Sequence, residues 1–363
     1  MSSVWGNIIK VSLFGESQGD IIGVTIHGIP SGVKLDFEFI KKEMKRRLSG
    51  NYNVATPRQE DDEFHITSGY FNGYTTGAPL TVTIKNKDIK HAENNEFKDK
   101  MRPSFGDYTE HLRYNGFNDY RGGGHHSGRL TAPLLFAGAV AKLILKEKKI
   151  IIGAHILKIS DILDEGFDKV NVSEELLKLL PEKLFPVIKD DMGLIMQTEI
   201  LKAKYQKDTI GGIVECAAIN IPGGVGNPFF DSMESIISHL LFSIPSIKGV
   251  EFGEGFNIVS LRGSQANDQM YLDGDEVKTY TNHSGGIVAG ITNGMPIVFR
   301  VAIKPPATIA KPQKTVDIST KENTTVDTVS THDPCMVHRI VPVIEGVTAL
   351  AILDSMLGGN NHI

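Results

Sequence analysis

Cysteine is nearly absent: Cys216 and Cys335 are the only two in 363 residues. They cannot build a disulfide framework, and such a chain fits a reducing compartment. A cationic excess is also missing. Thirty-eight Lys and Arg face 43 Asp and Glu, a net charge of −5, so a basic nucleic-acid footprint is absent at the level of the whole chain. Residues 1–10 lack a basic stretch followed by a long apolar run, which predicts no signal peptide. The longest apolar stretch, Leu130 to Leu145, is interrupted by Thr131 and Lys142. It falls short of the ~18 residues that a membrane span needs. No GxGxxG follows a strand to open a helix and no Walker spacing occurs, which disfavours a Rossmann dinucleotide fold and a P-loop triphosphatase. There is no repeat of fixed period and no low-complexity linker. At 40% hydrophobic and 22% charged residues, the chain can bury a sizeable core.

Glycine, by contrast, is abundant, with 37 residues against a usual share of ~7%. The glycines cluster at Gly122-Gly123-Gly124, at Gly223-Gly224 with Gly226, at Gly253 with Gly255, and at Gly285-Gly286 with Gly290 and Gly294. Any one cluster reads as a loop. Four of them beside polar and charged residues point to backbone that approaches a ligand.

Apolar periodicity predicts strands at Ile8 to Phe14, Ile21 to His27, around Leu80, Val82 and Ile84, and at Ile151 to Ile159, Gly212 to Ile219 and Ile297 to Ile303. Helices are expected after Asp36, with Phe37, Ile40, Met44 and Leu48 on one face, and over Pro133 to Leu145, Asp231 to Phe242 and Glu345 to Leu357. The charged stretch Asp161 to Asp191 reads as a surface excursion with a short helix at Ser173 to Leu180. Strands and helices without strict alternation argue for an α+β fold in which sheets pack on buried helices.

Four constellations could carry chemistry. Gly15-Glu16-Ser17-Gln18-Gly19 ends a predicted strand and could be a hairpin turn or admit an anion. Arg47, Arg58, Arg102, Arg121 and Arg129 stand beside turns, prolines or glycines; several arginine forks together suit a small polyanion carrying phosphate and carboxylate. Asp333, between His332 and Pro334, reads equally as a turn residue or a base. His332, His338 and Cys335 fit no common zinc template, so no metal is expected. Finally, the glycines 285–294 are followed by Lys304 and Thr308, which could hold a ring system and its phosphate.

At these residues the chain resembles the chorismate synthase family. The likeness runs from the first strand to Leu357, which implies a single domain over 1–363. It is carried by Gly15 to Gly19, by Arg121-Gly122-Gly123-Gly124 with Ser127 and Arg129, by Lys248 to Phe256, and by Gly263-Ser264 with Asn267-Asp268. Gly285-Gly286-Ile287 with Asn293-Gly294, Lys304-Pro305 and His332-Asp333-Pro334-Cys335 complete it. The resemblance implies a β-α-β sandwich with helices between antiparallel sheets, a homotetramer in the cytoplasm, and reduced FMN drawn from an external source. The implied reaction is the anti-1,4-elimination of phosphate from 5-enolpyruvylshikimate 3-phosphate, with neither nucleic acid nor membrane as partner. It also implies roles. Arg47, Arg58, Arg102, Ser127 and Arg129 would bind the phosphorylated carboxylate substrate. Ser264, Gly286, Lys304 and Thr308 would bind FMN. Asp333, Gln18 and Ser17 would be catalytic, with Asp333 near flavin N5. The family's histidines are replaced by Gln18 and Phe105, and an arginine by Thr331. A paralogue using FMN on a related anion, and a non-catalytic flavin- or metabolite-binding protein, therefore stand beside the enzyme.

Overall fold

The structure is a computed structural model that describes residues 3–48, 61–87, 89, 95–328 and 333–359. Two five-stranded antiparallel sheets dominate it. The first runs in the order Val4–Trp5, Lys10–Gly15, Ile21–His27, Leu80–Lys85, Phe64–Ser68. The second runs Ile247–Phe252, Ile297–Ile303, Gly212–Ile219, Ile151–Ile159, Ile162–Leu163. Register follows the apolar alternation. Ile22, Val24 and Ile26 lie opposite Ile84, Val82 and Leu80, and all six are buried, because a shift of one residue would turn that row to water.

Helices Thr131–Glu147 and Val337–Gly358 pack against each other between the sheets, with Phe37–Arg46 and Met233–Ser243 alongside. Their crossing is set by two glycines. A Cβ on Gly138 would come 2.4 Å from the Cα of Gly346, so only hydrogen at this position lets the backbones touch. By length and apolarity alone the segment Arg121–Glu147 and helix Val337–Gly358 could cross a membrane, but 83% and 89% of their most apolar windows are buried inside the protein. Residues of both sheets and all four helices join one apolar core.

Several expected elements appear at the stated bounds, among them Ile21–His27, Ile151–Ile159, Gly212–Ile219 and Ile297–Ile303. Asp36 caps its helix by accepting from Phe39 N at 3.1 Å. Two differences have physical causes. The strand expected from Ile8 begins at Lys10, since Ile8 N and Ile9 N turn instead to the Asp354 carboxylate, 2.7 Å from each. The last helix starts at Val337 and runs through Pro342, where burial between the sheets offsets the hydrogen bond that proline cannot donate. Helix Asp190–Tyr205 has no counterpart in the expected set. The excursion after Ser160 is tied down by buried His155, whose Nε2 meets Glu215 at 3.1 Å. Its Nδ1 lies 3.7 Å from Asp164, which also accepts from Ile188 N and Lys189 N.

Candidate active site

The glycine run 122–124 is the meeting point of three separate motifs. All three glycines have positive φ (59°, 85° and 50°), a conformation that a side chain resists. A Cβ on Gly122 would stand 3.1 Å from Gln18 Nε2 and 3.2 Å from Ser17 Oγ; one on Gly123 would stand 3.1 Å from the Phe105 ring. The chain therefore closes on itself here with Gln18 and Phe105 on the same turn. Ser17 N donates to Gly124 O at 2.9 Å, and His125 Nδ1 donates to Gly15 O at 2.8 Å. That bond leaves His125 Nε2 as the acceptor of the Ser3 hydroxyl, 2.7 Å away. Ser17 Oγ is buried and has no hydrogen-bond partner among the described residues.

Beside this turn lies a chain of buried charges. Asp62 Oδ2 accepts from Arg47 Nε at 3.1 Å and from Arg47 Nη2 at 2.6 Å, while Asp62 Oδ1 accepts from Arg129 Nη1. Burial pushes the Asp62 carboxyl up, but Arg47 and then Arg129 outweigh it and hold the group below its ordinary value. Arg129 Nε donates to Asn86 Oδ1 at 2.9 Å, and Asn86 Nδ2 reaches Glu16 O and Gly19 O on either side of Ser17 and Gln18. On the other side, Arg339 Nε donates to Arg47 O at 3.1 Å, and Arg339 Nη1 binds Asp333. One network thus runs from Asp333 through Arg339, Arg47, Asp62, Arg129 and Asn86 to the loop of Gln18. Ser127 Oγ caps the start of the turn carrying Arg129, 3.4 Å from Arg129 N.

Arg102 sits next to this network. It clasps Asp107 through Nε at 2.8 Å and Nη2 at 2.7 Å, with its guanidinium carbon 3.7 Å from the Phe105 centroid. Lys304 Nζ donates to Ser104 O at 2.7 Å, and its pKa is lowered by burial and then by Lys248. Thr308 is buried close behind in the chain. Arg47 and Arg129 thus share Asp62, Arg102 holds Asp107 and Arg339 holds Asp333, while Lys304 bonds only a backbone carbonyl, so among the described residues these cations outnumber the carboxylates bound to them.

Gly286 and Ser264 lie elsewhere. Gly286 abuts Pro296 and Ile297 at the start of strand Ile297–Ile303, whereas Lys304 follows its end. A strand of that length holds them roughly 20–25 Å apart. Ser264 is exposed on the short turn Gly263–Ala266. Arg58, Thr331 and His332 are outside the described residues. A cavity of about 630 Å³ between helix Phe37–Arg46 and strand Phe64–Ser68 shares only Asp62 with the network.

Asp62, Asn86 and Arg339 were not among the expected site residues. Asp62 and Asn86 carry no motif at all, and Arg339 merely ends one. Glu110 is a further addition. Its Oε1 is buried without a partner among the described residues, and a Cβ on Gly106 would come 2.5 Å from it, so the glycine makes room for the carboxyl. Burial and then the charge of Asp107 raise its pKa from 4.5 to about 7. The folded chain therefore keeps a proton that the unfolded chain loses. The stability carried by that proton is complete below pH about 4.5 and is lost as pH rises through about 7. Glu110→Gln is expected to raise stability at pH 8 by about 1–2 kcal/mol and to change it little at pH 4, read from urea midpoints at the two pH values.

Fold and site together define an α+β protein that gathers buried arginines and a lysine beside a glycine turn. The chorismate synthase family model matches residues 9–357. The chain is 39% identical over 361 residues to the chorismate synthase of Dehalococcoides mccartyi, covering 98% of this chain and 97% of that one. It is 41% identical over 353 residues to that of Pyrococcus abyssi, covering 97% of each. A crystal structure of chorismate synthase superposes with a TM-score of 0.77 at 27% identity, covering 98% of this chain and 93% of the other. The chain belongs to the chorismate synthase family.

Proposed function

We propose that this chain eliminates phosphate from 5-enolpyruvylshikimate 3-phosphate to give chorismate, with reduced FMN as cofactor. The observation that carries this is the continuous network from Asp333 to the Gln18 loop, in which three arginines share two carboxylates. In the reaction the C3–O bond breaks, the phosphate departs with the bonding electrons and a hydrogen leaves C6, with no net redox change. Bound reduced flavin supplies the electron density that eases phosphate departure. Arg47 and Arg129 hold the substrate's anionic groups, with Arg58 and Arg102, while Ser127 adds a hydrogen bond. Asp333, oriented by Arg339, assists removal of the C6 hydrogen. Ser17 and Gln18 donate hydrogen bonds towards the leaving phosphate.

The residues present suit FMN. Lys304 has no carboxylate partner among the described residues, and its nearest charged influence is another cation, Lys248, so a bound phosphate would relieve both. Lys304 and Thr308 hold the flavin on this side. Gly286, at the far end of the strand, and the exposed Ser264 would serve a flavin held by a second copy. That agrees with a homotetramer in the cytoplasm, fed with reduced flavin from outside, and light scattering at micromolar concentration tests the assembly.

A second function draws support from one observation: Gln18 and Phe105, both without a titratable proton, share the glycine turn. A paralogue acting on a related anion, or a binding protein, would tolerate this. An anaerobic assay with reduced FMN, following phosphate release from 5-enolpyruvylshikimate 3-phosphate, decides between them. Release that needs both FMN and this substrate is the expected result. Saturable FMN binding without release would favour the paralogue or the binding protein.

A further inference from the structure

We infer that Asp62 is the positioning residue of the anion site, holding Arg47 and Arg129 in fixed orientation towards the substrate. This rests on the chain binding a phosphorylated carboxylate at those arginines. Asp62 just precedes strand Phe64–Ser68 and has φ of 51°, a left-handed conformation uncommon for a residue with a side chain. That kink accompanies a carboxylate buried between two elements: Arg47 at the end of helix Phe37–Arg46 and Arg129 in the turn that leads into helix Thr131–Glu147. The two carboxylate oxygens are divided between them, Oδ2 to Arg47 and Oδ1 to Arg129. Each arginine is gripped a second time, Arg129 at Nε by Asn86 and Arg47 at its carbonyl by Arg339. The Arg129 guanidinium is thus fixed on two sides, and the Arg47 guanidinium is held by Asp62 through two N–H groups on a backbone anchored by Arg339; groups so held lose less freedom when an anion arrives.

The inference can be told from simple charge balance because the two make opposite predictions. A carboxylate close to an anion site repels the anion. If Asp62 only neutralised the buried arginines, removing its charge would strengthen substrate binding. If it positions them, removing its charge lets them swing and binding weakens. Extending the carboxylate by one methylene keeps the charge and moves the grip. Charge balance then predicts unchanged affinity, and positioning predicts a loss.

The experiment uses the full chain and titration calorimetry with 5-enolpyruvylshikimate 3-phosphate and, separately, inorganic phosphate. Wild type, Asp62→Asn and Asp62→Glu are compared, with melting temperatures recorded beside each. The expected result is an affinity for the substrate lower by about 10²-fold in Asp62→Asn and by about 10-fold in Asp62→Glu, since each arginine left loose must be immobilised on binding at a cost of roughly tenfold, both being released in the first variant and one in the second. If Asp62→Asn binds as tightly as wild type or more tightly, or if folded Asp62→Glu matches wild type, the positioning role is overturned. Should Asp62→Asn fail to fold, Asp62→Glu decides alone, because its charge balance is kept. Wild type that binds phosphate but not the enolpyruvyl compound would refute the proposed substrate, and the phosphate titrations would still decide the role of Asp62.

Discussion

A chain carrying Gln18→His with Phe105→His is expected to release phosphate from 5-enolpyruvylshikimate 3-phosphate at least about 10²-fold faster than the parent, since one well-placed acid or base contributes that much. Both positions border the glycine turn, Gln18 against Gly122 and Phe105 against Gly123, so two imidazoles would face one small space. Their protonation should differ. A histidine at position 18 titrates near neutral pH and can serve as a proton donor. A histidine at position 105 would lie under the Arg102 guanidinium, now 3.7 Å from the phenyl centroid, and that cation would keep it neutral. Anaerobic single-turnover phosphate release with reduced FMN measures the gain, with a melting curve to show that both chains are folded. No gain in a folded double variant would argue that the chain has moved to another substrate.

The second large effect concerns stability. Glu345→Ala is expected to cost about 3–5 kcal/mol, because it leaves two buried cations with a single carboxylate between them. Glu345 is fully buried in helix Val337–Gly358 and accepts from Arg46 Nη1 and Nη2 at 2.6 and 2.7 Å. It also accepts from Lys142 Nζ at 2.8 Å and Ala154 N at 3.0 Å. Glu43 shares both cations, at 3.0 Å from Arg46 and 2.7 Å from Lys142. Burial raises the Glu345 carboxyl, but Arg46 and then Lys142 overcome this and bring its pKa down from 4.5 to about 2. A depressed acid stabilises the fold above its unfolded pKa and loses that contribution as pH falls through the folded one. The gap between wild type and Glu345→Gln should therefore be full above pH about 4.5 and shrink towards pH 2, as chemical denaturation across that range will show. An unchanging gap would mean that the carboxylate's charge is not what stabilises the core. The quartet also bears on function: Arg46 is the neighbour of Arg47, so the helix end that presents Arg47 to Asp62 is anchored by Glu345.

Much of this molecule is legible in one dimension. Ile151–Ile159, Gly212–Ile219 and Ile297–Ile303 are rich in apolar residues, many of them β-branched, and a strand of such composition hardly depends on its neighbours for its identity. The motifs around Ser17, the glycines 122–124, Arg129, Lys304 and Asp333 likewise announce the family, because each is local in the chain. Helix Asp190–Tyr205 was not legible. Only Gly193, Met196, Ile200 and Ala203 are buried there, too few large side chains to mark an apolar face.

What tertiary structure alone decided is which partners the buried charges meet. Arg129 finds Asp62 across 67 residues and Asn86 across 43, and Arg339 finds Arg47 across 292. No periodicity encodes such pairs, since burying a charge is tolerable only when packing delivers its partner. The same holds for Ser264 and Gly286, which their motifs group with Lys304. An intervening strand keeps Gly286 and Lys304 at opposite ends, because extended backbone has a fixed rise that side chains cannot shorten. The sequence by itself determined the elements, the family and the kinds of group at the site. Folding determined that two of its arginines share one carboxylate, and so how they are held.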